Sequence, residues 1–238
     1  MVSNANNVIV SGNCAQLALT DGYPFKAPAD FSATAAPTYD RAFTANTTTT
    51  VCLPFALTET EAATLGTFYE LRSFDGDNLH FTEVAVPEAN KAYLVVPTAT
   101  ALTLSETSKS IAATPADLGA SITNVDFIGT LAETTIPASD ETYSYFAYNN
   151  GDLVKVTTQA ATLPAFRGYF KVTTSAINSG SNARRLGVSF DNEATGISDA
   201  TRLKDKGQMK NDIFDLQGRR VKTFKKGFYI VNGKKVIK

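Results

Sequence analysis

The sequence predicts an all-β protein: an antiparallel β-sandwich body with two short helices, followed by a small C-terminal β-hairpin unit. Three observations carry this expectation. Only 19% of the 238 residues are charged, and Thr, Ala, Ser and Asn fill the gap; Thr is β-branched and suits a half-buried pleated face. Short apolar runs recur at the close spacing of a sandwich, punctuated by Asn, Asp and Gly. The two helix-start signals are each followed within a turn or two by a glycine stop, too soon to build a helical layer.

Taken in chain order, residues 7–19 place short apolar runs around Gly12-Asn13, which predicts two strands joined by a turn. Thr20-Asp21-Gly22-Tyr23-Pro24 ends that section with turn chemistry. The Ala- and Pro-rich stretch 27–37 is expected to be a connection. Strands are expected at 39–44, 50–55, 67–74, 79–86, 92–96, 126–131, 143–148, 153–158, 168–172 and 186–190. Asp75-Gly76-Asp77-Asn78 and Asn149-Asn150-Gly151-Asp152 read as hairpin turns, because Asn and Gly tolerate the positive φ of a tight turn. Thr58 with Glu61 has capping-box spacing, and Gly66 can end that helix. Thr114, Pro115 and Gly119 supply cap, first position and stop for a second helix of one turn.

Four segments are expected: an N-terminal β segment over 1–30, which could be the end of an upstream module; a sandwich over 31–190; a polar linker over 191–210; and a basic β tail over 211–238. In the tail, Asn232-Gly233 is the strongest hairpin signal of the chain. With those two residues as the loop, Phe228 meets Ile237, Tyr229 meets Val236 and Ile230 meets Lys235, each pair worth ~0.2–1 kcal/mol. An earlier hairpin turns at Gln217-Gly218. A two-residue loop there pairs Asp215 with Arg220 and Phe214 with Val221; a three-residue loop with Gly218 left-handed shifts the register by one. Two-stranded hairpins are marginal in water, so the tail either forms one four-stranded sheet or docks on the body.

The formal net charge of −1 conceals a split. Residues 1–201 carry 10 basic against 20 acidic side chains, and residues 202–238 carry 12 against 3. A basic tail on an acidic body suits an anionic partner, the body itself or a membrane surface. No nucleic-acid-binding motif accompanies the charge, so nucleic acid is not an expected partner. No run approaches the ~20 apolar residues of a membrane helix, so direct membrane insertion is not expected. Residues 1–10 lack a cationic start followed by an apolar run, so no signal peptide is visible. For a protein working outside the cytoplasm, this predicts that the chain is a fragment of a longer product. Cys14 and Cys52 could form one bridge or serve as two buried small hydrophobes.

Catalytic, cofactor-binding and metal residues are not expected. His80 is the single histidine, and no Gly-x-Ser-x-Gly elbow, phosphate loop or dinucleotide fingerprint is present. Asp75 and Asp77 lie on a turn, as do Asp140 and Glu141 in a loop, where carboxylates serve conformation rather than glycoside hydrolysis. The 75–78 turn lacks the spaced ligands and closing Glu of a calcium loop. Asn46-Thr47-Thr48 has the spacing of a glycosylation acceptor by chance. Tyr143 and Tyr145 share one strand face, with Phe146 and Tyr148 on the other. An exposed tyrosine face would offer a glycan contact, while inter-sheet packing explains the same pattern.

The run Asn211-Asp-Ile-Phe-Asp-Leu-Gln-Gly-Arg-Arg-Val221, followed by Lys226-Gly-Phe-Tyr-Ile-Val-Asn-Gly-Lys-Lys-Val-Ile-Lys238, resembles the C-terminal tails of secreted and cell-surface modular proteins of Bacteroidota. Those tails look like a shortened sorting domain of the type IX secretion system. Body segments such as Leu17-Ala-Leu-Thr-Asp-Gly-Tyr-Pro-Phe25 and Ala165-Phe-Arg-Gly-Tyr-Phe170 are similar to the region preceding such tails. The resemblance implies a non-catalytic, extracytoplasmic structural module whose tail meets secretion or surface-attachment machinery. It assigns that contact to Asp215, Leu216, Gln217, Gly218, Arg219, Arg220, Val221, Gly227, Tyr229, Lys234 and Lys235. The alternative class is a carbohydrate-binding or adhesin module using Tyr143 and Tyr145.

Overall fold

The computed structural model describes residues 7–178 and 186–191, and the backbone of strands between 213 and 237. Contacts divide the chain into two compact units, Met1–Ala194 and Thr195–Lys238. The boundary falls inside the stretch expected as a linker.

The first unit is built around two five-stranded sheets. The inner sheet runs Gly187–Phe190, Asn78–Val84, Gly66–Phe74, Ala92–Pro97, Thr49–Cys52 in spatial order. The outer sheet runs Gly119–Ile122, Val125–Thr130, Arg167–Thr173, Tyr143–Asn149, Asp152–Val156. Alternation decides which residues enter the space between them. Arg167–Thr173 buries Gly168, Phe170 and Val172 and turns Tyr169 and Lys171 outward. Phe127 and Phe170 stack with centroids 4.2 Å apart, and Phe81 meets both edge-on at 6.3 and 6.1 Å. Such pairs add about 0.5–1.5 kcal/mol each beyond area burial.

Close approach fastens one side of the sandwich. Thr50 Oγ1 accepts from Gly168 N at 2.9 Å and lies 3.0 Å from the Gly168 carbonyl, joining the inner sheet to the outer. A Cβ at Gly168 would lie 2.8 Å from Phe127 Cε2 and 3.0 Å from Ala92 Cβ, so only glycine fits.

The inner sheet is covered on its second face too. Along Ala92–Pro97, Ala92 and Leu94 face the inter-sheet core, whereas Tyr93 and Val95 pack with Cys14, Leu17, Phe25, Phe31, Phe55 and Leu65. The segment expected as a separate N-terminal piece over 1–30 therefore shares the body's core across its described residues. Its strands are very short: Ile9–Val10 and Asn13–Cys14 form a hairpin, and Asn13–Cys14 pairs in parallel with Phe31–Ala33. Phe31–Ala33, within the expected connection, also pairs with Lys109–Ile111. A strand of three residues has too little alternation to be read in advance.

Helix Glu59–Leu65 forms with the full capping box: Thr58 Oγ1 accepts from Glu61 N, and Glu61 Oε2 accepts from Thr58 N. The second expected helix does not form. Thr114 instead clasps Ala27, its amide donating to the Ala27 carbonyl and its hydroxyl accepting from the Ala27 amide at 2.8 Å. The cap oxygen is thus consumed by a partner distant in the chain, and Gly119 opens a strand at φ 120°. A 3₁₀ turn occurs elsewhere, at Thr174–Ala176. Gly187–Phe190 joins the otherwise antiparallel inner sheet in parallel.

An internal ion cluster ties the helix down. Glu61 and Lys109 are buried, with Nζ 2.7 Å from Oε2, and the Ser105 and Glu106 amides donate to Oε1 at 3.0 and 2.9 Å. Lys109 also donates to the Ala56 carbonyl and to Glu106 Oε2. Cys14 and Cys52 are free, buried thiols, which decides between the two readings of the cysteines; burial pushes the Cys52 thiol up to about 12.

The second unit contains a four-stranded antiparallel sheet in the order Arg220–Val221, Ile213–Asp215, Phe228–Val231, Lys234–Ile237. The last hairpin pairs Phe228 with Ile237, Tyr229 with Val236 and Ile230 with Lys235, as the Asn232-Gly233 loop predicts. The first pairs Ile213 with Val221 and Phe214 with Arg220, the register of the three-residue loop.

Candidate ligand-binding surface

The outer face of the outer sheet gathers several aromatic and charged side chains. On Tyr143–Asn149, Ser144 and Phe146 turn inward, while Tyr143 and Tyr145 point outward and are half-buried. Neither sits between the two sheets. Tyr148 packs with the inter-sheet cluster beside Phe146. The neighbouring strand adds residues that sequence reading did not single out: Tyr169 lies 6.5 Å from Tyr145 between ring centroids, and Lys171 Nζ sits 4.0 Å over the Tyr143 ring. Their outward placement was available from the alternation of 167–173, but their pairing with the tyrosine strand was not.

This face borders an open groove of about 1050 Å³. Asp126 and Lys171, 3.6 Å apart, are among its lining residues, with Lys26, Ile128, Thr134 and the 114–121 segment. Tyr145 and Tyr169 pack against a small satellite core of Ile136, Ala147, Val156 and Leu163. Burial raises the Tyr169 phenol, with Tyr145 and Asp126 adding to it, so that ring stays neutral across ordinary pH. Half-exposed rings beside hydroxyl, carboxylate and ammonium groups can stack on and hydrogen-bond a polyhydroxyl ligand.

The carboxylates weighed for catalysis serve turns. Asp75 Oδ1 accepts from the Asp77 and Asn78 amides at 2.9 and 2.7 Å, and Oδ2 lies 2.9 Å from His80 Nε2. The Asn78 and Asp77 amides, with His80, hold the Asp75 carboxyl well below the usual range. Asp140 accepts from the Thr142 and Tyr143 amides, which lower its pKa likewise. Among the described residues, no group of three or more His, Cys, Asp or Glu side chains is placed to hold a metal.

The chain has no nucleophile elbow, yet the fold brings a Ser, a His and an Asp into one row. Ser189 Oγ lies 2.5 Å from His80 Nδ1, and His80 Nε2 faces Asp75. Sequence reading missed Ser189 because a parallel edge strand, 109 residues distant, delivers it. Ser189 lies in extended strand. Two residues on, Asp191 bonds Thr82 and Arg72 at 2.7 and 2.9 Å. The Ser189–His80 contact and the Asp191 bonds tie the parallel edge strand to Asn78–Val84 and Gly66–Phe74.

Of the tail residues, Asp215, Arg220, Val221, Tyr229, Lys234 and Lys235 lie on the strands of the small sheet. Leu216, Gln217, Gly218, Arg219 and Gly227 lie outside the described residues. No protein-family model, curated protein or solved structure matches the chain.

Proposed function

We propose that the protein is a non-catalytic structural module of a secreted or cell-surface protein, with a C-terminal tail for sorting or anchoring. The observation that supports this is the division of the chain into an acidic sandwich and a compact basic unit with its own four-stranded sheet. Sheet edges and excess positive charge suit contact with an acidic or strand-donating partner. The test is deletion of residues 211–238 from a version exported to the periplasm. Surface delivery should be lost while the body keeps its unfolding transition; delivery unchanged by the deletion would refute the role.

A second reading has its own support. Tyr143, Tyr145 and Tyr169 face outward beside the open groove, which suits a glycan contact of a binding or adhesin module. Retention on a glycan array that falls at least tenfold in Tyr145→Ala supports it; no retention of any glycan removes it.

A further inference from the structure

A second, smaller cavity lies on the body away from that groove. It measures about 150 Å³, the volume of about five waters. Thr44, Thr47, Thr48 and Thr49 line one side, and Tyr148 with the Asn150-Gly151 turn lines the other. Arg41 and Phe43 form the buried part of its wall.

Arg41 is only 6% exposed, and its guanidinium stacks 4.5 Å over the Phe43 ring. Its acceptors are neutral: Nη1 donates to the Thr50 carbonyl at 2.8 Å and the Phe166 carbonyl at 3.4 Å, Nη2 donates to Thr49 Oγ1 at 2.7 Å, and the Tyr39 phenol accepts from it as well. Among the described residues no carboxylate lies within ion-pair distance of Arg41. Asp21 acts on it from further off, but both Asp21 oxygens are engaged by Arg167 at 2.7 and 2.9 Å. The two guanidiniums therefore share the Asp21 carboxylate, with Arg167 in direct contact and Arg41 further off. Burial lowers the Arg41 pKa first; Tyr39 opposes that shift, and repulsion from Arg167 adds to it. A buried cation without its own counter-ion is costly, and an anion delivered to the cavity would relieve it.

We propose that this cavity binds a small oxyanion, the carboxylate, sulfate or phosphate group of a ligand, held by the Arg41 guanidinium and the threonine hydroxyls around it. The site goes beyond the surface-module reading, and its test does not depend on export. Asp152, on the same hairpin, is the opposing charge: after burial, it is what raises the Tyr148 phenol.

The full chain, labelled with ¹⁵N, would be titrated with sodium sulfate, phosphate and acetate against chloride at matched ionic strength. At least one oxyanion should shift the amides of residues 47–49 and 150–151 saturably, and chloride should not. Thr49→Val and Arg41→Lys should each weaken binding about tenfold, while Asp152→Asn should strengthen it several-fold. Thr49→Val carries the test if Arg41→Lys does not fold. Glucuronate and a sulfated disaccharide form a second arm: tighter binding than the free ion assigns the group to a glycan, equal binding assigns it to the ion itself. No saturable shift with any of these, or unchanged affinity in Thr49→Val, overturns the proposal.

Discussion

Replacing Lys109 with Met should unseat the helix from the body, because it strips the counter-ion from a buried carboxylate. Glu61 is 1% exposed and Lys109 4%, and their 2.7 Å contact is the only cationic contact Glu61 has among the described residues. Breaking a buried pair from one side typically costs about 3–5 kcal/mol. The Thr58, Ser105 and Glu106 amides would still hold the carboxylate, so about 3 kcal/mol is expected for Lys109→Met. The pH dependence gives an independent measure. Burial alone would raise the Glu61 pKa, but Lys109 and the three amides outweigh it and bring it from 4.5 to about 2. A depressed folded-state pKa stabilises above the unfolded value, and that stability is lost as pH falls through the folded one. The loss should therefore run from about pH 4.5 down to about 2. The full shift corresponds to about 3 kcal/mol; Glu106 is half exposed and admits water at one flank, so about 2 kcal/mol is the expected share. Urea unfolding of the body, followed by far-ultraviolet circular dichroism at pH 7, 4.5, 3 and 2, would compare wild type with Glu61→Gln. Wild type should lose about 2 kcal/mol more than the variant over the acid range. Equal acid sensitivity, or a Lys109→Met cost below about 1 kcal/mol, would refute the reasoning.

Two further outcomes follow from packing. Gly168→Ala should cost about 1–3 kcal/mol, because the new methyl would press on Phe127 and Ala92 across the sandwich; a melting temperature equal to wild type contradicts that. Cys14 and Cys52 should be inert to a thiol reagent in the native protein and both react in denaturant, since each is fully buried; a fast native-state reaction of either would show the core to be open there.

Much of the sandwich was legible because its strands are long enough to show a period of two. Arg167–Thr173 alternates strictly enough to tell which side faces Phe81 and Phe127. Turn chemistry was equally direct: Asn150 and Gly151 take φ 49° and 87°, and the last tail hairpin has the register its two-residue loop requires. The outward direction of Tyr143 and Tyr145 was one of two open readings. Burial in the core would have produced the same alternation, and only the packing of Phe146 against Phe170's sheet partners separates them.

What the sequence by itself determined is the set of local preferences: strand-forming runs, a capping box at Thr58 and Glu61, hairpin turns, and a change of charge sign near residue 202. The tertiary structure decided everything that depends on a partner distant in the chain. It drew residues 14–31 into the core beneath Tyr93 and Val95, spent the Thr114 cap on Ala27, set Tyr169 beside Tyr145, and enclosed Arg41 between the Thr50 and Phe166 carbonyls. The reason is one of range: torsional preference and turn geometry act over a few residues, whereas burial and charge compensation depend on which segments meet.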